Sequence, residues 1–444
     1  MELGRYALIN EESLFALIPL LVYIILTFTG LKALTATLAG VVVGIILTMI
    51  SPADIAKLFA TSMGSFLGII GLIIMLGSGL GELMLETGVS KSIVKMIIDK
   101  IGVNSQKKGI IAVIFSSTII CALLGTLAGG NAIIAPIIIP VVAAVGLTPS
   151  TVGAIFQSAG ETGLIWGPFT GPVVALLAVT GLSYSKMMLW AALPFGIIWL
   201  VVIYFAAQRI QKKTEGKESY EESNLKYEDV IVSDRERKTT FVFIIAFIAL
   251  IAYGIISKQG TNYSIIVMLV LSILITFVSG IGLENGINCL TRGMGKMAGM
   301  FLLFILLNVL LELINMGGGF QALGKILLGL THKFGKQSLL ILASFVGGFG
   351  VDGAAVAQLQ ITHELFAPAL EAFNFPMEMW AIALIAASRI TTSVYPTANM
   401  ASQMGIAKSN NMKAMLFGGW CVSLAALIYI SLWAFIGFKF FFPG

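Results

Sequence analysis

Runs of about twenty consecutive apolar residues recur along this chain, each long enough to cross a ~30 Å hydrocarbon layer as a helix. Backbone N–H and C=O groups find no water in that layer. A run of this kind must therefore satisfy them internally, as α-helix. The short alternating strands of a transmembrane barrel are not present. Of 444 residues, 58% are hydrophobic and 11% charged, more apolar surface than a soluble domain of this size can hide. The chain reads as an all-α polytopic membrane protein with the bilayer as its solvent.

Apolar runs between charged or Gly/Pro punctuation fall at 14–31, 33–50, 63–86, 150–180, 186–208, 239–257, 262–281, 294–315, 379–403 and 411–438. The first has no basic segment before it and reads as a mature span rather than a cleavable signal. Two longer stretches, 109–147 and 338–375, are each broken by a small-residue knot, Gly125 to Asn131 and Gly347 to Gly353. Each reads either as two full spans or as a hairpin that enters and leaves on one side. The one long polar stretch, 209–238, reads as a solvated linker and divides the chain nearly in half.

The halves look related. At a shift of 228 positions Gly125 meets Gly353, Pro140 meets Pro368, Ala159 meets Ala387 and Pro168 meets Pro396. The order of elements repeats as well: three spans, a broken hairpin, a proline-containing span and a final span. The expected organisation is a first repeat at 1–208, with scaffold 14–86, hairpin 109–147 and broken span 150–180. After the linker, a second repeat at 239–444 has scaffold 239–315, hairpin 338–375 and broken span 379–403. About five crossings per half is an odd number, so the second repeat is expected upside down relative to the first, as in many secondary transporters.

Basic residues give the sidedness. Eighteen of the 27 Lys and Arg fall on the face that holds the linker, eight on the other, and Arg389 is left inside a span. The linker is expected in the cytoplasm and both termini outside, in a cell's inner membrane. Lys91, Lys95 and Lys100 recur at helical spacing in 91–101, which reads as an interfacial helix with 320–334 as its counterpart.

An ionisable group inside a span costs at least ~2.5–3.5 kcal/mol on insertion scales and is a functional candidate by default. Glu161, Asp352 and Arg389 stand out; Glu82 and Glu312 lie near span ends, where snorkelling is cheap. Glu161 sits in a run of glycines that leads to Pro168 and Pro172, a sequence that reads as a helix unwound at mid-membrane. Freed carbonyls and a helix end there suit a cation or an anionic solute. Arg389 holds the matching place in the second half, among Thr391, Thr392, Ser393, Thr397 and Asn399 around Pro396. The pair reads as a structural ion pair. It reads equally as a site in which Arg389 grips a solute carboxylate while Glu161 takes an amine, a proton or a cation. Asp352 among glycines is a hard-cation environment or a helix cap. Asn131 occupies the comparable tip of the first hairpin.

Other chemistry is poorly supported. His363-Glu364 lacks the second histidine of a zinc protease motif, and Cys121, Cys289 and Cys421 have no metal-ligand spacing. No ATP-binding loop, potassium filter or nucleic-acid surface is evident.

Gly129-Gly130-Asn131-Ala132 running to Pro140, and Gly163 running to Pro172, resemble the hairpin tip and following break of the ion transporter superfamily: divalent anion:sodium symporters, gluconate permeases and related exchangers. The Ser-Asn-Thr signature of those tips is absent, and the second tip carries Asp352. The resemblance implies an elevator-type transporter in which a transport domain slides against a scaffold. It also implies a homodimer and site residues Gly129, Gly130, Asn131, Thr162, Thr170, Asp352, Gly353, Thr397 and Asn399, with Gly163 in the break. The expected function is Na⁺- or H⁺-coupled symport of a small carboxylate-bearing solute such as an organic acid, sugar acid or amino acid. Sodium, if it is the coupling ion, is expected at Asn131 and Asp352, and no other cofactor is expected. A cation antiporter using Glu161 and Asp352 is the alternative, and a channel a further one.

Overall fold

A computed structural model describes residues 3–9, 12–220, 231–350 and 355–441. Among these, all regular structure is helical, in ten helices followed by ten more. The first series is α1 (Leu14–Phe28), α2 (Ala33–Thr48), α3 (Pro52–Met63), α4 (Phe66–Glu86) and α5 (Val89–Ile101), then α6 (Gln106–Leu124), α7 (Leu127–Ala144), α8 (Pro149–Trp166), α9 (Gly171–Thr180) and α10 (Tyr184–Thr214). The second is α11 (Asp234–Ile256), α12 (Tyr263–Ser279), α13 (Leu283–Lys296), α14 (Ala298–Met316) and α15 (Gly319–Phe334), then α16 (Gln337–Phe349), α17 (Ala355–Ala372), α18 (Met377–Thr391), α19 (Ala398–Ile406) and α20 (Met412–Phe441). Seven of the described helices are long and apolar enough to cross a membrane, or eight if the bent pair α8–α9 is one span. The chain is a multi-pass membrane protein.

Several members of the two series are similar in length. The fourth helices have 21 and 19 residues, and the last 31 and 30. The eighth and ninth have 18 and 10 in the first series and 15 and 9 in the second. Helices α3 and α13 were not legible as spans because each is amphipathic rather than apolar: α13 carries Glu284, Arg292 and Lys296.

The breaks are narrower than the small-residue stretches that mark them. The first knot shrinks to Gly125 and Thr126. Gly125 ends α6 at φ +66°, a conformation open to glycine, and the Thr126 hydroxyl accepts the Gly129 N–H at 3.2 Å, so helix resumes at Leu127. Likewise α8 runs unbroken through Gly160 and Gly163 and ends at Trp166; α9 follows at a 44° bend. Gly163 serves packing instead, lying against the Thr118 carbonyl of α6. Small residues let membrane helices approach closely, where no hydrophobic drive separates lipid from neighbour. Of the second knot, Gly347 to Phe349 end α16, while Val351, Asp352 and Gly353 lie outside the described residues.

The polar linker is shorter than its composition suggests. α10 reaches Thr214, and the residues after it fold back onto the bundle: Tyr220 is buried and donates to the Ala407 carbonyl at 3.1 Å. α11 starts at Ser233 with a reciprocal Ser233–Glu236 capping box. Residues 221–230 lie outside the described residues.

Contacts between the halves are reciprocal. α2 packs on α14, with Gly40 against Leu310 and Gly44 against Leu313, while α12 packs on α4, with Gly77 against Met268. α13 packs on α4, where Ser78 Oγ donates to the Gly293 carbonyl at 2.9 Å. In the mirrored place α3 packs on α14, where Asn308 Nδ2 donates to Ser62 Oγ at 3.0 Å. Lys91 of α5 pairs with Glu236 of α11, and Lys325 of α15 with Glu12 beside α1, both at 2.5 Å. α9 meets α17, and α19 meets α7. At the centre α4 and α14 touch each other, Gly71 lying against Phe301 and Phe304. Such an exchange of partners brings the two broken spans together.

Candidate functional site

α8 and α18 carry their charges to one point. Arg389 Nη1 lies 3.1 Å from Glu161 Oε2, and both side chains are 1% exposed. Thr392, just past the end of α18, donates its hydroxyl to the same Glu161 Oε2 at 2.6 Å. Gln157, one helical turn before Glu161, donates Nε2 to Glu161 Oε1 at 2.8 Å and to the Thr392 carbonyl at 3.3 Å. Arg389 also reaches the Glu161 carbonyl at 3.4 Å and Ser388 Oγ at 3.3 Å. Opposite charges at this distance in a low-dielectric interior neutralise each other, and the added hydrogen bonds offset their desolvation. Two atoms of the cluster, Arg389 Nη2 and Gln157 Oε1, have no partner among the described residues, and neither has Ser393 Oγ next to Thr392 in the chain.

A second buried network joins α7 to α8, α6 and α19. Asn131 Nδ2 donates to the Phe156 carbonyl of α8 at 2.9 Å and to Gln403 Oε1 of α19 at 2.8 Å. Its Oδ1 accepts Ser117 Oγ at 2.7 Å and the Cys121 thiol at 3.7 Å. Both ends of the Asn131 amide are thus engaged by protein atoms. Gly129 and Gly130 stand in the first turn of α7, Gly130 against Cys121.

The remaining predicted residues shape the breaks. Thr170 caps the turn into α9, donating to the Leu164 and Gly167 carbonyls. Thr397 caps α19 by accepting the Met400 N–H at 3.2 Å. Thr162 bonds back to the Ser158 carbonyl at 3.2 Å, Thr391 pairs with the Tyr395 hydroxyl at 2.9 Å, and Asn399 is exposed. The structure thus gathers Glu161, Arg389 and Thr392 into one cluster and puts Asn131 in another; Ser393 follows Thr392 and is buried. Asp352 and Gly353 lie outside the described residues.

Gln157 and Gln403 were missed by sequence reasoning. A spacing of four residues from Glu161 was the one available clue to Gln157. Nothing local marked Gln403, whose partner is 272 residues away. Glu82 is held by Arg292 at 2.8 Å and Lys296 at 2.5 Å, whereas Glu312 lines a cavity of about 440 Å³ with Thr61, Ser65 and Asn308. A cavity of about 600 Å³ opens beside the α8–α9 bend, between Phe169 and Tyr184 on one side and Lys258, Thr261 and Tyr263 on the other.

Two charged helices meeting inside a lipid-embedded bundle are an arrangement that suits a secondary transporter. The chain belongs to the family of the tripartite ATP-independent periplasmic transporter, DctM component, whose model matches residues 14–436. That match corrects the resemblance to the ion transporter superfamily. A glycine-rich hairpin tip followed by a proline-broken span is a general way to build a polar site in lipid, so those motifs were not diagnostic, and the Ser-Asn-Thr signature was absent. Two solved structures are similar in fold. The YdaH transporter of Alcanivorax borkumensis aligns with a TM-score of 0.63 at 15% identity, over 88% of this chain and 91% of its own. MtrF of Neisseria gonorrhoeae, described as illuminating a class of antimetabolite efflux pumps, aligns with a TM-score of 0.58 at 16% identity, over 88% of this chain and 86% of its own. No curated protein sequence matches the chain.

Proposed function

We propose that this chain is the solute-moving membrane component of a tripartite secondary transporter, taking up a small carboxylate-bearing solute with Na⁺ or H⁺. The observation that carries the reading is Arg389: a buried guanidinium at the junction of the two halves, with Nη2 free beside an otherwise satisfied ion pair. Guanidinium N–H groups match carboxylate oxygens in geometry and charge. The reciprocal contacts of the two helix series support two inverted repeats related by a pseudo-two-fold axis. In this reading α6–α9 and α16–α19 move as a unit against a scaffold of α1–α4 and α11–α14. The cavity at Phe169 and Lys258 lies along that border and supports an approach to the α8–α9 bend. The linker faces the cytoplasm of a cell's inner membrane, and both termini lie outside. Two further components, as the tripartite name implies, would complete the assembly, in place of or alongside a homodimer. Na⁺ as coupling ion fits Asn131 only if its amide leaves Ser117 and Gln403.

Accumulation of labelled organic acids by vesicles under imposed Na⁺ or H⁺ gradients tests this reading. Uphill uptake that Arg389→Ala abolishes supports it. Retained cation exchange without acid transport in Arg389→Ala would instead favour an antiporter, and outward pumping would favour efflux. Cysteine pairs across α2 and α7 that report no relative movement would remove the elevator.

A further inference from the structure

The atoms left unpaired around Glu161 have fixed polarity. Arg389 Nη2 can only donate. Gln157 spends its amide nitrogen on two acceptors, Glu161 Oε1 and the Thr392 carbonyl. Reversing the amide would set oxygen against oxygen twice, so the free atom of Gln157 is the acceptor Oε1. The two residues hold opposite oxygens of one carboxylate, Gln157 on Oε1 and Arg389 on Oε2. A free cationic donor and a free amide acceptor therefore flank Glu161, each on a side chain no more than 2% exposed. Ser393 Oγ, also unpartnered and buried, can act in either sense.

Buried polar atoms are disfavoured when unpaired, and a plain carboxylate would satisfy only one of these. We infer that the solute carries a hydrogen-bond donor, a hydroxyl or an ammonium, close to its carboxylate. The carboxylate takes Arg389 Nη2, and the donor takes Gln157 Oε1. Gln157 is then the residue that selects hydroxy or amino acids over their unsubstituted counterparts. Glu161 stays tied to Thr392 and Arg389 and orients both, without itself accepting the solute. This inference rests on the reading of Arg389 as the carboxylate site.

The test is thermal unfolding of the purified full chain titrated with matched acids: succinate against malate, and glutarate against glutamate. The substituted member of each pair is expected to bind about tenfold more tightly, the size of one buried hydrogen bond. Gln157→Leu is expected to erase that preference. Equal stabilisation by both members overturns the inference while leaving the carboxylate site standing. No response to any acid, with Arg389→Ala behaving like the unaltered protein, overturns both. Should Gln157→Leu fail to fold, the preference within each pair in the unaltered protein decides alone.

Discussion

Glu161 and Arg389, 228 positions apart and at matching places in the two helix series, meet at 3.1 Å where α8 passes α18. Among the described residues neither has another ion-pair partner. The same contact joins α8 to α18 and leaves one guanidinium nitrogen free.

Removing one member of that pair strands the other in a low-dielectric interior. Arg389→Met is expected to cost ~3–5 kcal/mol of stability, and Glu161→Gln combined with it to recover a substantial part. A double-mutant cycle by chemical unfolding in detergent measures the coupling; additive single effects would show that the two charges act independently.

Asn131 of α7 holds α8 and α19. Asn131→Leu orphans Ser117 and Gln403 and removes a second donor from the Phe156 carbonyl, and is expected to destabilise by about 2–4 kcal/mol, from ~1–3 for each group left unpaired. Asn131→Asp should be no better, since it turns a carboxylate oxygen toward the Phe156 carbonyl. A lower unfolding temperature for both variants is the check, and an unchanged one for either contradicts the assigned hydrogen bonds.

Two glycines make an internal control for helix approach. A Cβ on Gly163 would fall 2.3 Å from the Thr118 carbonyl, whereas nothing lies within 4 Å of one on Gly295. Gly163→Ala is expected to cost ~1–3 kcal/mol. Gly295→Ala, in a helix, should be neutral or stabilising by up to ~1 kcal/mol. Side-by-side melting curves read the difference, and a reversed order would mean that α8 and α6 are farther apart.

Glu218, just past α10, straps the start of α8 to the cap of α20. Its Oε2 accepts Ser150 Oγ at 2.5 Å and the Ser150 N–H at 3.3 Å, while Oε1 accepts Asn411 Nδ2 at 2.8 Å. A carboxylate at the start of α8 also complements the helix dipole. Glu218→Ala is expected to cost ~1–2 kcal/mol and to raise amide hydrogen exchange at 149–151 and 407–411, with α2 and α14 unaffected. Exchange that rises everywhere equally would mean global loosening rather than a local strap.

Much of the architecture was legible because lipid leaves the backbone few choices. Apolar length alone marked α4, α10, α11, α14 and α20, and the shift of 228 placed Glu161 opposite Arg389 before any contact was known. The amphipathic α3 and α13 were missed because a pattern with polar faces is not distinct from a loop at an interface. The glycines and prolines of 160–172 marked a break that falls between Trp166 and Gly171, but not its exact place, because glycine both ends helices and admits close neighbours, and only the neighbour reveals which. The superfamily resemblance failed for a related reason, since its motifs describe a shape that unrelated chains can also adopt.

What the sequence determined by itself was helical spans, their doubled order and the few charges they carry, since burial in hydrocarbon penalises every other arrangement of backbone and charge. What only the tertiary structure decided was which polar atoms those charges leave free. Gln157, Gln403 and Thr392 enter the clusters through partners tens to hundreds of positions away, or by the sense of one amide. Hydrogen-bond polarity is a property of three-dimensional neighbours, and no spacing along the chain encodes it.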